Sequence, residues 1–426
     1  MLSIQENEKL TRVGKGTPMG EFLRRFWVPA LLSEELPSND CPPVRVKLFG
    51  ENLVAFRNTS GKVGLVQGYC AHRQMDLFYG RNEDEGLRCV YHGWKYDLEG
   101  RCVDMPSEPE ESNFRDKVSI TAYPCREAGG LIWAYLGPKD FPASFPEFES
   151  NYLPKENMFV RKNLLEANFL QTMEGNLDST HIGFLHRVFT SHNDGPSVGG
   201  ILTLSSSDTV RDSLPRYELK DTDFGMMVGA RRPRTDGSSY WRITQWALPF
   251  YTMIANDVGE TLLWDAWVPI DDENTWVYRV QYNPWRAMRP EEVYEFDTVG
   301  FMDLRDRMIP GTYRPVRNKH NNYLIDRELQ RSFSYSGIKG NNPQDAAAVE
   351  NQGPGTTTDR SKERLGTSDT AIIAARRRLL RILRDLEEGL EPLAAQRGDL
   401  YKVRPIAVVL KDDVPFHEGA KEHMFV

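Results

Sequence analysis

Between Pro42 and Pro138 the chain is a series of short apolar runs set apart by glycine and proline: Val44-Arg-Val-Lys-Leu48, Leu53-Val-Ala-Phe56, Val63-Gly-Leu-Val66, Ile120-Thr-Ala-Tyr123 and Leu131-Ile-Trp-Ala-Tyr-Leu136. Runs this short, bounded by turn residues, predict strands and together an all-β region. Upstream, Pro18 suits a first helical position, and Phe22, Leu23 and Phe26 follow it as an amphipathic docking segment. Two prolines in 140–146 interrupt the pattern and predict a linker. Beyond it, residues 159–165 open a second region that passes into a helix near 174–186. Residues 187–213, rich in Ser, Gly, Asp and Asn, are expected as a mobile excursion over whatever site lies there. Strands are predicted at 216–219, 225–231, 240–248, 252–255, 262–269 and 275–282. Near the end, Ser368-Asp369 caps a long helix with Ile372, Ala375, Leu379, Leu383, Leu386 and Leu390 along one stripe and five arginines outside it. The pattern gives an α+β fold class in three segments: 1–41, 42–140 and 141–426.

A length of 426 residues favours two domains over one. The formal net charge of -8 and a pI near 5.7 exclude a polyanion-binding surface, which needs clustered Lys and Arg. No apolar run approaches the roughly eighteen residues that span a bilayer, and the first residues lack a signal-peptide core, so the expected compartment is the cytoplasm. Gly14-Lys-Gly-Thr17 has neither the spacing nor the preceding strand of a phosphate loop, and no dinucleotide fingerprint occurs. Nicotinamide-derived electrons would therefore have to come through another protein.

Chemistry concentrates in two places. Cys70-Ala-His72 and Cys89-Val-Tyr-His92 stand sixteen residues apart, each in a short loop beside a predicted strand. Two thiolates on one iron and two imidazoles on the other is the ligation of a Rieske [2Fe-2S] centre. Tetrahedral zinc is the competing assignment, but a zinc finger pairs Cys with Cys and His with His, whereas this order alternates. Cys41, Cys102 and Cys125 are left as ordinary packed thiols. The second place is Glu174 to His186. On one continuous helix Glu174, Asp178 and His181 share a face, while His186 lies roughly 140° round. Both imidazoles can meet one ion only if the helix deforms or ends between them, and Gly183 is the expected break. Two His plus a remote carboxylate is the facial set that leaves positions open on non-haem Fe(II), whereas a zincin would carry His-Glu-x-x-His.

These motifs, with Gly16-Thr-Pro-Met-Gly20, Arg24-Arg-Phe-Trp27, His92-Gly-Trp94 and Asp359-Arg-Ser-Lys-Glu363, resemble the Rieske non-haem iron oxygenases over most of the chain, the phthalate dioxygenase branch above all. One departure is Cys70-Ala-His-Arg-Gln74, where the family usually has Cys-Pro-His-Arg-Gly; it alters loop stiffness while keeping the ligand spacing. The resemblance implies a Rieske domain followed by a helix-grip (START-like) antiparallel sheet with mononuclear Fe(II). Cys70, His72, Cys89 and His92 would hold the cluster, and His181 and His186 the iron. It also implies that Asp178 joins His181 of one copy to His92 of another within a homotrimer or pair of trimers. Glu174 would be a further acid near the iron.

The third iron ligand is assigned to Asp345 in Asn342-Pro-Gln-Asp345-Ala-Ala-Ala-Val-Glu350. Pro343 suits a first turn, Asp345, Ala348 and Gln352 would share a face, and the alanines would admit the iron closely. The resemblance also puts the carboxylate in such a helix. Asp359 and Asp369 are rivals, and a plain helix-N-terminal acid is the bland reading of Asp345. For an aromatic acid, an arginine fork is the fitting partner. Strand alternation puts Tyr240, Arg242, Thr244 and Trp246 on one face, with Arg216 and then Arg211 as further candidates. The function implied is a terminal oxygenase that takes electrons from an NAD(P)H-dependent flavin/iron-sulfur reductase. With O2 it would dihydroxylate an aromatic carboxylic acid, a phthalate isomer or halobenzoate, to a cis-dihydrodiol. Monooxygenation and O-demethylation use the same ligands. A Rieske electron carrier and a zinc hydrolase are the readings from other classes.

Overall fold

The computed structural model describes residues 2–188, 197–198, 214–293 and 308–426. Helix α1 (Ile4–Thr11) starts on a capping box in which Ser3 and Glu6 bind each other's backbone N–H, a start the hydrophobic pattern did not reveal. Helix α2 (Pro18–Leu23) has Pro at its start and buries Met19, Phe22 and Leu23, as the docking segment requires. The chain then enters strand β1 (Trp27–Leu32), where only a helical segment was expected. It pairs antiparallel with β11 (Leu131–Tyr135), which also pairs with β10 (Cys125–Ala128). The first residues are thus woven into the sheet that follows.

A four-stranded sheet runs β2 (Val44–Leu48), β3 (Glu51–Arg57), β4 (Val63–Gln67), β9 (Ala122–Tyr123). A second comprises β5 (Arg81–Glu83), β6 (Gly86–Arg88), β7 (Lys95–Tyr96) and β8 (Cys102–Asp104). Val54, Phe56, Val66, Leu87, Trp94 and Tyr96 form a small core of their own, into which the Cys70 and Cys89 thiols point. None of the five cysteines is in a disulfide.

The second region is one antiparallel sheet in the order β12 (Met158–Leu165), β20 (Thr275–Tyr282), β19 (Leu262–Pro269), β18 (Tyr251–Ile254), β17 (Ser238–Ala247), β16 (Gly225–Pro233), β15 (Arg216–Asp221). One edge of the long β17 is shared: Gln245 to Ala247 pair with β18, and Ser238 to Ile243 pair with β21 (Ile406–Lys411), which the pattern missed. A short pair, β13 (Arg187–Val188) and β14 (Ser197–Val198), is what is described of the polar excursion.

Helix α3 (Phe169–Leu177) packs on the sheet, α4 (Ile182–Leu185) follows it, and α5 (Arg327–Ser332) and α6 (Asn341–Val349) come after the last central strand. The long helix α7 (Thr370–Glu387) buries Ala371, Ala375, Leu379 and Leu383, as its stripe predicts. Two details differ. Leu390 lies beyond the helix and is 62% exposed, and Arg376, expected on the wet side, is buried. A single large core runs from Leu10 through Trp133 to Trp264 and Met424, continuous across both regions.

Candidate metal centres and active site

The Cys-x-His and Cys-x2-His segments form matching loops. After β4, the Gln74 N–H donates to the Cys70 carbonyl at 3.0 Å; after β6, the Gly93 N–H donates to the Cys89 carbonyl at the same distance. Each loop needs a left-handed residue at that closing position, with φ of 56° at Gln74 and 78° at Gly93. Gly93 is obligatory for a second reason: a Cβ there would meet Pro106 Cγ at 2.7 Å. At their tips the His72 and His92 rings stand 4.4 Å apart, with Trp94 stacked on His72. Behind them Tyr96 Oη lies 3.2 Å from Cys70 Sγ. The Cys70 thiol is brought down to about 6, chiefly by hydrogen bonding with Cys89, against burial and with help from the Tyr96 hydroxyl. His72 Nδ1 is buried with no hydrogen-bond partner among the described residues. Buried polar atoms are rarely left so, and an orphaned imidazole nitrogen beside two facing thiols fits a metal-cluster ligand set.

The second site lies where α3 stops. The helix ends at Leu177, with Asp178 extended as its C-cap, and resumes only after His181, so the break falls ahead of the first imidazole and not at Gly183. Asp178 Oδ1 accepts from Thr180 N at 2.7 Å and His181 N at 3.3 Å, which turns the chain. Tyr217 on the edge strand β15 braces the same turn, its hydroxyl accepting from Ser179 N at 2.8 Å. His181 then caps one end of α4 and His186 the other, and both rings face Asp345 on α6. His186 Nε2 is 3.0 Å and His181 Nε2 3.7 Å from Asp345 Oδ1. Each ring keeps Nδ1 for an outer group: Asp178 Oδ2 lies 3.7 Å from His181, and Gln344 Oε1 lies 2.6 Å from His186. Gln344 is itself fixed, its amide nitrogen donating to the Ile338 carbonyl at 2.7 Å.

One ligand atom from each of His181, His186 and Asp345 lies within 4.8 Å of the others, close enough for one ion. Burial pushes the Asp345 carboxyl up, but His186, His181 and Arg279 outweigh it and hold it below its ordinary range. Asp178 is likewise lowered, His181 overcoming burial. Helix α6 ends at Val349, so Gln352 does not share its face with Asp345.

The same cavity is lined by Arg242, Thr244, Ile254, Asn176, Arg279 and Asn342. Arg242 is buried; Nη2 donates to the Ala255 carbonyl at 3.3 Å, while Nε and Nη1 have no hydrogen-bond partner among the described residues. A buried guanidinium in the lining of the cavity that holds the ligand set brings a positive charge to which an anion can bind.

The sequence matches the Rieske [2Fe-2S] domain family over residues 26–124 and the family described as "LigXa C-terminal domain like" over residues 134–412. The chain belongs to the Rieske oxygenases, in their phthalate dioxygenase-like branch. Among its relatives is the phthalate 4,5-dioxygenase oxygenase subunit of Pseudomonas putida, 40% identical over 91% of this chain and 88% of that protein. The 3-chlorobenzoate-3,4-dioxygenase oxygenase subunit of Comamonas testosteroni is 36% identical over 94% and 93%. A 5,5'-dehydrodivanillate O-demethylase oxygenase subunit from Sphingobium is 31% identical over 97% and 88%. The solved structure of Pseudomonas putida CBB5 NdmA with caffeine shares the fold, with a TM-score of 0.60, 18% identity and coverage of 93% of this chain and 99% of that one.

Three expectations for this Rieske oxygenase are corrected by the structure. Glu174 stands apart from the His181–His186–Asp345 group. Both its oxygens are taken by Arg376, at 2.6 and 2.9 Å, and by Arg360 at 3.2 Å, because α3 turns that side toward α7. Arg216 is exposed on the edge strand β15, away from the cavity, and Arg211 lies outside the described residues. Of the β17 face, Arg242 and Thr244 line the cavity while Tyr240 and Trp246 are buried in apolar packing. The rivals Asp359 and Asp369 are engaged elsewhere, with Ser361 and with the Gly366 N–H. Gln344, Tyr217 and Asp265 were missed. Only Asp265 left a trace, as a charge inside the otherwise apolar Leu262-Leu-Trp-Asp-Ala-Trp-Val-Pro269.

Proposed function

We propose that this chain is the terminal component of an aromatic ring-hydroxylating dioxygenase, converting an aromatic carboxylic acid of the phthalate-isomer or halobenzoate type to a cis-dihydrodiol. The observation that carries this reading is one cavity lined both by the His181–His186–Asp345 set and by the buried guanidinium of Arg242. The relatives named for phthalate and 3-chlorobenzoate dioxygenation support the substrate class.

Cys70, Cys89, His72 and His92 would hold the Rieske cluster, and His181, His186 and Asp345 the ferrous ion. When bound, the cluster supplies single electrons and the ion a site for dioxygen beside the substrate. Arg242 supplies the positive charge that binds the carboxylate and so sets which ring edge faces the metal. A carboxylate brought into this buried site would cost several kcal/mol without that partner. Gln344 accepts the Nδ1 proton of His186, fixing that tautomer with Nε2 toward the metal, and Asp178 Oδ2 stands 3.7 Å from His181 Nδ1. Asp178 is also the group that would meet His92 of a second copy, in a homotrimer or a pair of trimers. Electrons come from a separate NAD(P)H-dependent flavin/iron-sulfur reductase, and the chain works in the cytoplasm. Among the described residues no helix is long and apolar enough to cross a membrane.

The test is oxygen uptake by the enzyme reconstituted with its reductase, over a panel of aromatic acids. Coupled formation of a cis-dihydrodiol is expected. Formaldehyde release from methoxybenzoates would instead favour O-demethylation, the activity named for the Sphingobium relative. His181→Ala is expected to abolish uptake with the visible Rieske spectrum intact, and retained uptake would sink the reading.

A further inference from the structure

Asp265 and Arg279 are directly opposite each other on β19 and β20. Asp265 is fully buried and the Arg279 side chain is 12% exposed. Nε and Nη2 of Arg279 donate to the two carboxylate oxygens at 2.6 and 2.8 Å, a bidentate pair. Each partner then reaches out of the sheet in a different direction. The remaining nitrogen, Arg279 Nη1, donates to Asn342 Oδ1 at 2.6 Å, on the first turn of α6 just ahead of Asp345. Asp265 Oδ2 accepts from Asn176 Nδ2 at 2.8 Å, in the last turn of α3 just ahead of Asp178. That amide also donates at 2.9 Å to Thr252, which stands opposite Asp265 on β18.

Two direct bonds already join the segments that carry the ligand set, His186 Nδ1 with Gln344 Oε1 at 2.6 Å and Gln171 Nε2 to the Val349 carbonyl at 2.7 Å, and the ion pair adds a third link through the sheet. Between Asp178 and His181 the helix is broken, and α6 starts at Gly340 with no side-chain cap. The sheet beneath is the stiff element, and Asn176, Arg279 and Asn342 reach the cavity from it and from both helices. We propose that the Asp265–Arg279 pair is a positioning device that sets the distance between the His181–His186 segment and Asp345, and with it the affinity of the site for Fe(II). The inference rests on the reading that these three residues hold the iron. A buried ion pair adds little net stability, but removing either partner strands a charge.

Full-length holoprotein is challenged with a ferrous chelator, and the iron retained beyond the cluster is measured while the Rieske absorption reports the integrity of the chain. Arg279→Gln is expected to weaken Fe(II) retention about ten- to a hundredfold, the usual cost of losing an outer support of a metal ligand. Asn342→Ala and Asn176→Ala are each expected to weaken it. Their double variant should lose less than the product of the two, since both act through one ion pair. Asn342→Asp, which keeps an acceptor for Nη1, should restore most of the loss. If Arg279→Gln fails to fold, Asn342→Ala gives the same reading with the ion pair intact. A merely structural role would lower the melting temperature and leave retention unchanged. Retention within twofold of the parent in Arg279→Gln or Asn342→Ala, or single losses that multiply, would overturn the proposal alone. Unaltered retention in Asp345→Ala would overturn the reading of the site as well.

Discussion

Removing the charge of Glu174 should unfold this protein more readily without touching its chemistry. The carboxylate lies 5% exposed between α3 and α7 and holds two buried arginines, Arg360 at 0% and Arg376 at 4% exposure. In Glu174→Gln the side chain keeps one acceptor oxygen, but the charge-assisted contacts at 2.6, 2.9 and 3.2 Å become neutral or are lost. Breaking one side of a buried ion pair costs about 3–5 kcal/mol. Here each arginine retains a partner: Arg376 bonds Glu363, and Arg360 donates to Asn7 Oδ1 at 3.0 Å. The low end, about 3 kcal/mol, is therefore expected. Urea unfolding followed by tryptophan fluorescence reads the change; urea suits the purpose because guanidinium would screen the charges. The residual native fraction should keep the parent's oxygen uptake per iron. A variant as stable as the parent within about 0.5 kcal/mol but with lost uptake would refute this assignment and return Glu174 to the metal site.

Two further substitutions probe the cavity. Arg242→Met removes the buried guanidinium, and since hydrogen bonds to charged groups contribute about 1.5–3 kcal/mol, KM for an aromatic acid should rise about ten- to a hundredfold; an unchanged KM would remove Arg242 from substrate binding. Gln344→Leu strips His186 of the acceptor at 2.6 Å and should reduce iron retained after dialysis by about tenfold or more, with the Rieske absorption as control.

The strands were legible because their apolar runs are short and bounded by turn residues, and the observed bounds of β19 and β20 coincide with the predicted ones. The Cys-x-His and Cys-x2-His loops were legible from spacing alone, since a loop closed by one hydrogen bond holds its ligands wherever the spacing is kept. Asp345 was chosen from helix-start chemistry and the family resemblance, and the structure sets it 3.0 Å from His186. What periodicity could not convey was partnership. A helix wheel drawn through Glu174, Asp178 and His181 puts them on one face, but Asp178 ends the helix, so Glu174 and His181 diverge. Arg376 reads as a solvated charge until Glu174, far upstream, is seen to bury it. Strand β21 escaped because its alternation is half-exposed at the margin of a sheet built mostly from earlier residues. Gln74 is the instructive departure: it adopts the left-handed turn that Gly93 takes in the sister loop, and its side-chain amide donates back to the Cys70 carbonyl at 3.3 Å.

The weaving of β1 into the first region has a consequence for how such a protein can change. Tyr251 and Tyr278, on strands of the large sheet, donate their hydroxyl hydrogens to the carbonyls of Trp27 and Ala30, and the Phe49 and Gly50 N–H groups reach the carbonyls of Pro269 and Ile270. The electron-entry head is thus joined to the larger sheet by backbone-directed bonds and a common apolar core, with no free tether between them among the described residues. New substrates must then be accommodated by resculpting the walls of one cavity, with the distance between head and body inherited unchanged.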